Sequence, residues 1–234
     1  MSARHLHAFL QPTSVAVVGA SDRPGSLGLW AWQNLVSAGF EGQVWPVSLR
    51  HRTIGGVQAF RHVADLPGVP DLAVVCTPPR AVSDVITELG DRGTRAALVL
   101  TDGLTPAETG AMLRAARRHC LRIVGDHALC IQVPRLRLNA GLASAMPAEG
   151  ELALVSQCGG VTASMLDWAQ AHGIGFSTVV SLGRSADADA ADWLDHLGSD
   201  HRTRAILLYA ESVEGARKFM SAARAAARNK PVLI

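Results

Sequence analysis

The sequence predicts an α/β protein made of parallel sheets in two tandem units. Three observations carry this reading. Short apolar runs such as "AVVG", "AVVC" and "ALVL" alternate with amphipathic stretches along most of the chain. The runs lack polar alternation, which suits strands covered on both faces. Their connections are short, so strand–helix–strand repetition reads as a doubly wound parallel sheet.

In order, "SVAVVG" is a strand and "LGLWAWQNLVSAG" a helix ending at Gly39. "GQVWPV" and "DLAVVCT" are the next strands, and "PPRAVSDVITELGDRG" is a helix opening on prolines, which a first turn tolerates. "RAALVLT", "TPAETGAMLRAARRHC" and "LRIVG" give a strand, a helix and a fifth strand. From Asp126 to Gly150 the pattern lapses, with two prolines and no helical period. This reads as a connector with one or two short extended pieces. The alternation restarts with "ELALVSQ", "GGVTASMLDWAQAHG", "FSTVVSLG", "DADAADWLDHLGSD", "TRAILLYAES" and "VEGARKFMSAARAAARN", and "PVLI" opens a further strand. The expected units are therefore residues 1–125, a connector at 126–150, and residues 151–234. Because α/β sites gather at strand carboxyl ends, the second unit is expected to be truncated in its last strand.

Composition excludes several classes. A chain 48% hydrophobic and 18% charged is not disordered. A net charge of +2 without a long basic run argues against a nucleic-acid groove. The apolar runs are far shorter than a bilayer span. The start "MSARHLHAFLQPTS" lacks the apolar core and cleavage site of a signal peptide, so cytoplasmic residence is expected. Cys76, Cys120, Cys130 and Cys158 show no CxxC or Cys/His metal spacing and are expected to be buried free thiols. In the acidic stretch Asp187, Asp189, Asp192 and Asp195, either Asp187 or Asp189 caps a helix; no metal site is expected.

The stretch after the first strand carries the chemistry. Gly19, Ser21, Gly25, Ser26 and Gly28 offer small side chains, hydroxyls and open backbone N–H groups before a helix N-terminus, which together suit an anion. A strict GxGxxG is absent, and such a loop also serves as a plain strand-to-helix turn. The second strand ends "WPVSLRHR": Ser48, Arg50, His51 and Arg52 stand where an NAD site places a ribose-binding carboxylate. That positive field favours a phosphorylated ribose, as in NADP or coenzyme A, against the alternative of a solvated basic turn. Thr77 and Pro78 give a stiff rim suited to an adenine ring, and Thr101 and Asp102 end the next strand on the same edge. "VSQCGG" repeats the device: Ser156 ends a strand, Cys158, Gly159 and Gly160 turn the chain, and a helix follows. Cys158 at that helix start fits a nucleophile, but a packing role is the simpler reading because no base is tied to it. Glu211 ends a later strand on the same carboxyl edge.

With these residues the sequence resembles the NDP-forming (ADP-forming) acyl-CoA synthetases, relatives of the succinyl-CoA synthetase alpha subunit. It is most similar to the N-terminal part of bacterial members fused to a GNAT-type lysine acetyltransferase. "SVAVVGASDRPGSLG", "PDLAVVCTPP", "LNAGLASAMPAEGELALVSQCGG", "LDWAQAHGIGFSTVVSLG" and "TRAILLYAESVEGARKFMSAARAAARNKPVLI" carry the resemblance. It implies a Rossmann-like CoA-binding domain followed by a flavodoxin-like ligase domain. It implies CoA phosphate contacts at Gly19, Ser21, Gly25 and Ser26, further contacts at Ser48 and Arg50, and adenine contacts at Thr77 and Pro78. It implies phosphate binding at Ser156, Cys158, Gly159 and Gly160, and a Glu211 that supports a phosphorylated histidine.

The chain departs from the family pattern. "GDHALC" stands where Gly-Pro-Asn-Cys is usual, "SQCGG" where "SQSGA" is usual, and Ser48 and Arg50 where Asn and Lys are usual. The family's phosphohistidine lies beyond the strand that "PVLI" begins, as do its ATP-grasp and acetyltransferase parts. His127 is not read as its substitute, because nothing in the sequence places it near Ser156. The expected function is thus a CoA or acyl-CoA-binding module, inactive alone. The alternative is the alpha-type half of an acid–CoA ligase (or protein acetyltransferase) completed by an ATP-grasp beta-type partner, with self-association open. A third reading, an NADP-dependent oxidoreductase, lacks a Tyr/Lys or Cys/His proton-donor pair.

Overall fold

The computed structural model of the chain describes residues 5–234; the first four residues of the N-terminal stretch read above lie outside the described residues. A one-turn helix α1 (His7–Leu10) precedes β1 (Ser14–Val18), buried along its whole length. α2 (Leu27–Ser37) starts on Ser26, whose Oγ accepts from Leu29 N–H, and leads to β2 (Gln43–Val47). β3 (Thr53–Ile54) and β4 (Val57–Gln58) form a small antiparallel hairpin. β5 (Leu72–Val75), α3 (Pro79–Arg92), β6 (Ala96–Val99), α4 (Pro106–Arg118) and β7 (Arg122–Val124) complete the first unit. Its sheet, β2-β1-β5-β6-β7, is parallel throughout. α3 and α4 both open on proline, where the missing N–H has no intrahelical partner to lose. Thr105 and Glu108 close a capping box on α4.

The second sheet runs β13-β12-β10-β11-β8-β9. Its parallel part comprises β10 (Glu149–Ser156), β11 (Phe176–Ser181), β12 (Ala205–Tyr209) and β13 (Val232–Leu233). α5 (Gly159–Ala171), α6 (Ala190–Ser199) and α7 (Ala216–Asn229) connect them. β8 (Cys130–Val133) and β9 (Leu138–Gly141) are the extended pieces of the stretch read as a connector, and they belong to this sheet. Both pairings of β8 are antiparallel, so the second sheet is mixed rather than parallel. For β8 and β9 the reason is local: a short turn at Pro134–Arg137, with Arg137 at φ +52, reverses the chain. A parallel return would need a crossover of a dozen residues or more.

The two units share one core. Phe9 of α1 lies 5.9 Å, centroid to centroid, from Trp193 of α6, and buried residues of both sheets join the same cluster. Asn34 Nδ2 donates to Gly141 O (2.8 Å) and Ala143 O (3.2 Å). Arg122 at the end of the first sheet reaches Asp187 (2.8 Å) and Asp192 (2.9 Å) of the second unit, and Lys218 Nζ approaches Asp192 (2.8 Å) and Asp189 (2.9 Å). Burial acts against the charge of Arg122, but the two carboxylates outweigh it and hold its pKa above the ordinary value. Asp192, only 3% exposed, is thereby paired twice, which a buried charge requires. Asp189 is the cap of α6, while Asp187 ties the two units.

The cysteines correct the expectation of four buried thiols. Cys130 is buried and Cys76 and Cys158 are half-buried, but Cys120 is exposed, just past α4 at φ +53. Burial pushes the Cys76 and Cys130 thiols up to about 12, so neither is a nucleophile near neutrality. Among the described residues, no group of three or more His, Cys, Asp or Glu side chains could hold a metal ion, and no helix is long and apolar enough to cross a membrane.

Candidate functional site: two glycine turns on facing strand ends

At the end of β1 the chain turns at Gly19, φ +90, where a Cβ would stand 2.9 Å from the Cys76 carbonyl carbon. Its N–H and that of Ala20 donate to Val47 O at 2.9 and 3.1 Å, fixing the turn between β1 and β2. Gly28, at the start of α2, approaches closer still: a Cβ there would lie 2.0 Å from Gly19 O. The helix N-terminus is thus pressed onto the strand end, and the N–H groups of Leu27 and Gly28 open α2 without intrahelical acceptors. Ser21 Oγ accepts from Arg23 N–H (3.0 Å), and Ser26 Oγ donates to Arg23 O (2.8 Å). Gly25, φ +74, faces open space. Asp22 Oδ1 accepts from Gly55 N–H (3.1 Å), tying the loop to the β3–β4 hairpin.

The other predicted residues divide by exposure. Arg50 is exposed and makes no ion pair among the described residues, while Ser48 is buried, its Oγ accepting from His51 N–H at 3.3 Å. Ser48 therefore shapes the turn that presents Arg50. Thr77 Oγ1 is buried without a hydrogen-bond partner among the described residues, and Pro78 beside it is exposed. Thr101 is 3% exposed, and its Oγ1 donates to Thr77 O (2.7 Å), bracing the rim from behind.

The second turn is braced in the same way. Ser156 is buried; its Oγ donates to Cys158 O (2.9 Å) and accepts from Cys158 N–H (3.1 Å). Gly159 and Gly160 open α5, and the Cys158 side chain provides no cap. Gln157 reaches across to β12: its Oε1 accepts from the N–H groups of Glu211 (2.6 Å) and Ser212 (2.9 Å). Glu211 is exposed and held at the strand end by this side chain. A cavity of about 30 Å³ beside Gln157, Arg184 and Ser212 has room for a water molecule.

Sequence reasoning missed what joins the two turns. His127 N–H donates to Thr101 O (3.0 Å), and Leu129 N–H to Ser181 Oγ (3.1 Å). The segment 125–129 thus runs from the first sheet's carboxyl edge to the second's, and Leu129 packs 3.5 Å from where a Gly159 Cβ would be. His127 Nδ1 lies 3.3 Å from Asp102 Oδ1, and Arg184 spans Asp102 and Asp126, 3.8 Å from each. Asp126 is buried, and neither carboxylate oxygen receives a hydrogen bond from another of the described residues. Burial pushes its pKa up, Arg184 only partly opposing it. The one sequence signal for this cluster is the Asp126–His127 pair that replaces the usual Pro-Asn.

Two strand–glycine–helix turns, donors that are neutral or cationic, a glycine-only approach to backbone and an orphaned hydroxyl at Thr77 define a nucleotide-handling α/β protein. They fit a phosphorylated adenine nucleotide, and no carboxylate ends β2 to hold a bare ribose hydroxyl. Comparison with known proteins sharpens the class. Residues 13–134 match the CoA binding domain, and residues 149–234 match the succinyl-CoA ligase like flavodoxin domain. The chain is 34% identical, over 98% of its length and 52% of the relative's, to the alpha subunit of ADP-forming acetate–CoA ligase I of Pyrococcus furiosus. It is 35% identical, over 95% of its length and 33% of the relative's, to ADP-forming acetate–CoA ligase I of Archaeoglobus fulgidus. A solved structure of Ca. Korarchaeum cryptofilum dinucleotide forming acetyl-coenzyme A synthetase 1, in complex with phosphate and ADP, superposes with a TM-score of 0.92 at 30% identity; the match covers 97% of this chain and 50% of that one. The chain belongs to the CoA binding domain family, carries a succinyl-CoA ligase like flavodoxin domain after it, and is similar to ADP-forming acetate–CoA ligase alpha sequences. It spans about half the length, or less, of the curated relatives it matches.

Proposed function

We propose that the chain binds CoA or acyl-CoA at the first turn and phosphate at the second, as the CoA-handling half of an ADP-forming acid–CoA ligase. The observation that carries this is the paired geometry: both glycine turns sit at strand carboxyl ends, and segment 125–129 hydrogen-bonds to both edges. In this reading Gly19, Ser21, Gly25 and Ser26 hold the CoA phosphates, and Arg50 meets the ribose phosphate beyond β2 as a free cation. Thr77 and Pro78 border the adenine, with Thr101 bracing them. Ser156, Cys158, Gly159 and Gly160 present the start of α5 to phosphate, and Glu211, positioned by Gln157, supports a phosphohistidine supplied from outside these 234 residues. Bound CoA supplies a thiol nucleophile; the chain's residues anchor and orient it.

By itself the chain binds CoA without completing phosphoryl transfer, and an ATP-grasp beta-type partner restores the ligase. That the chain covers 52% of one acetate–CoA ligase alpha subunit and 33% of another ligase supports a function shared with further protein. The test supplies acetyl-CoA, ADP and phosphate to the chain alone, then with a chain carrying the histidine and ATP-grasp segments. ATP only in the mixture is expected. ATP from the chain alone, or none from the mixture, contradicts the proposal.

A further inference from the structure

His127 and Asp102 form a pair that stability does not explain. Their side chains are 61% and 60% exposed, and an ion pair so open contributes little to stability. Yet the pair is held with care. Asp102 Oδ1 accepts from Gly103 N–H (2.6 Å), fixing the carboxylate. His127 adopts φ +58, a left-handed conformation uncommon for any residue but glycine, while its N–H is spent on Thr101 O. Strain kept at an exposed polar pair points to function.

Position says which function. His127 N–H bonds to Thr101 O on the first edge, and Leu129, two residues on, lies against Gly159 of the second turn. In the CoA reading, a ligand anchored by its phosphates at the first turn extends toward the second along this segment. With Nδ1 turned to Asp102, Nε2 is left open. The charged groups facing the ring are Asp102, Asp126 and Arg184. Burial pushes the Asp126 carboxyl above its ordinary range, and Arg184 only partly opposes it.

Resting on the CoA reading above, we propose that His127, oriented by Asp102, accepts the thiol proton of bound CoA at Nε2. The S–H bond breaks, its electron pair stays on sulfur, and the new N–H bond leaves an imidazolium facing the Asp102 carboxylate. Thiolate, not thiol, is the nucleophile, so this proton transfer is what makes the sulfur reactive.

The test uses the whole chain with CoA and iodoacetamide, reading carbamidomethyl-CoA by mass spectrometry so that protein thiols do not interfere. Calorimetry measures CoA affinity in parallel. Variants are His127→Asn and Asp102→Asn; asparagine tolerates the left-handed backbone at 127, so that variant keeps the fold. The expected result is a lowered ionisation midpoint for bound CoA relative to free CoA. H127N raises it by about one unit, a roughly tenfold loss of rate below the midpoint, with CoA affinity unchanged. D102N produces a smaller shift in the same direction. CoA that binds with the same pH profile in wild type and H127N overturns the proton-acceptor role and leaves the CoA reading standing. No binding of CoA by the wild-type chain overturns the reading on which the role rests.

Discussion

Replacing Gly28 with alanine puts the packing of the first turn to a quantitative test. The new Cβ would lie 2.0 Å from Gly19 O, 2.9 Å from Gly19 C and 3.1 Å from Ala20 Cα. A carbon–oxygen contact settles at about 3.3 Å, so α2 and the turn must separate by roughly 1.3 Å. All three atoms are main chain, and Gly19 is itself held by its N–H bond to Val47 O and wedged against Cys76. Nothing flexible can absorb the shift. Overpacking against backbone costs about 3 kcal/mol, the upper end of the usual range. The better helix propensity of alanine offsets about 1 kcal/mol, leaving a net loss of roughly 2 kcal/mol. A displacement near 1 Å at the anion cradle breaks at least one N–H bond to phosphate and lowers CoA affinity by roughly tenfold or more. Denaturant unfolding and titration calorimetry read the two effects. Gly25→Ala is the control for the packing term alone: its Cβ meets nothing within 4 Å, and only the strain of φ +74 is added, about 1 kcal/mol. A G28A protein with wild-type stability and affinity would refute the reasoning.

Asp71 joins the starts of β1 and β5 by accepting from Thr13 N–H (2.8 Å), Thr13 Oγ1 (2.7 Å) and Ser14 N–H (3.3 Å). Burial raises its pKa, but these bonds together outweigh it and leave the carboxyl below the ordinary value of 3.8. Its stabilisation is therefore present above pH 3.8 and lost as pH falls through the depressed folded value. D71A costs roughly 2 kcal/mol at pH 7 and little in strong acid, read from denaturant midpoints across pH. Asp126 has the opposite sign. Burial raises its folded pKa, so its stabilisation is complete below pH 3.8 and lost as pH rises through the folded value. D126N gains stability relative to wild type as pH is raised from 3.5 to 7, and a constant difference across that range contradicts the buried-carboxyl account.

Legibility followed the range of the interactions. β1, β5 and β6, and the second half of β10, are apolar runs whose burial on both faces is written in their own residues. Ser26 and Asp189 cap their helices through bonds three residues away, and Gly19 and Gly25 take positive φ inside one short loop. The β3–β4 hairpin had a signal in Gly55-Gly56, at φ +54 and +81, but its strands are too short to show alternation. β8 was legible as an extended piece, but its place in the second sheet was not, because its pairing with β11 depends on Val179 and Val180, nearly fifty residues on. The burial of Ser48 and the bracing role of Thr101 are set by neighbours on other strands: Phe60 O takes the Ser48 N–H, and Thr77 O takes the Thr101 hydroxyl. The Asp102–His127–Arg184 cluster is the extreme case, since three loops from two sheets must meet before it exists.

One comparison bears most directly on the assignment of the first turn and of Arg50. Calorimetric titration of the wild-type chain with CoA and with dephospho-CoA isolates the ribose phosphate that the free Arg50 guanidinium is positioned to meet. The account predicts that both bind, that dephospho-CoA binds about tenfold more weakly, and that Arg50→Met abolishes the difference. Equal affinity of the wild-type chain for the two ligands would contradict it.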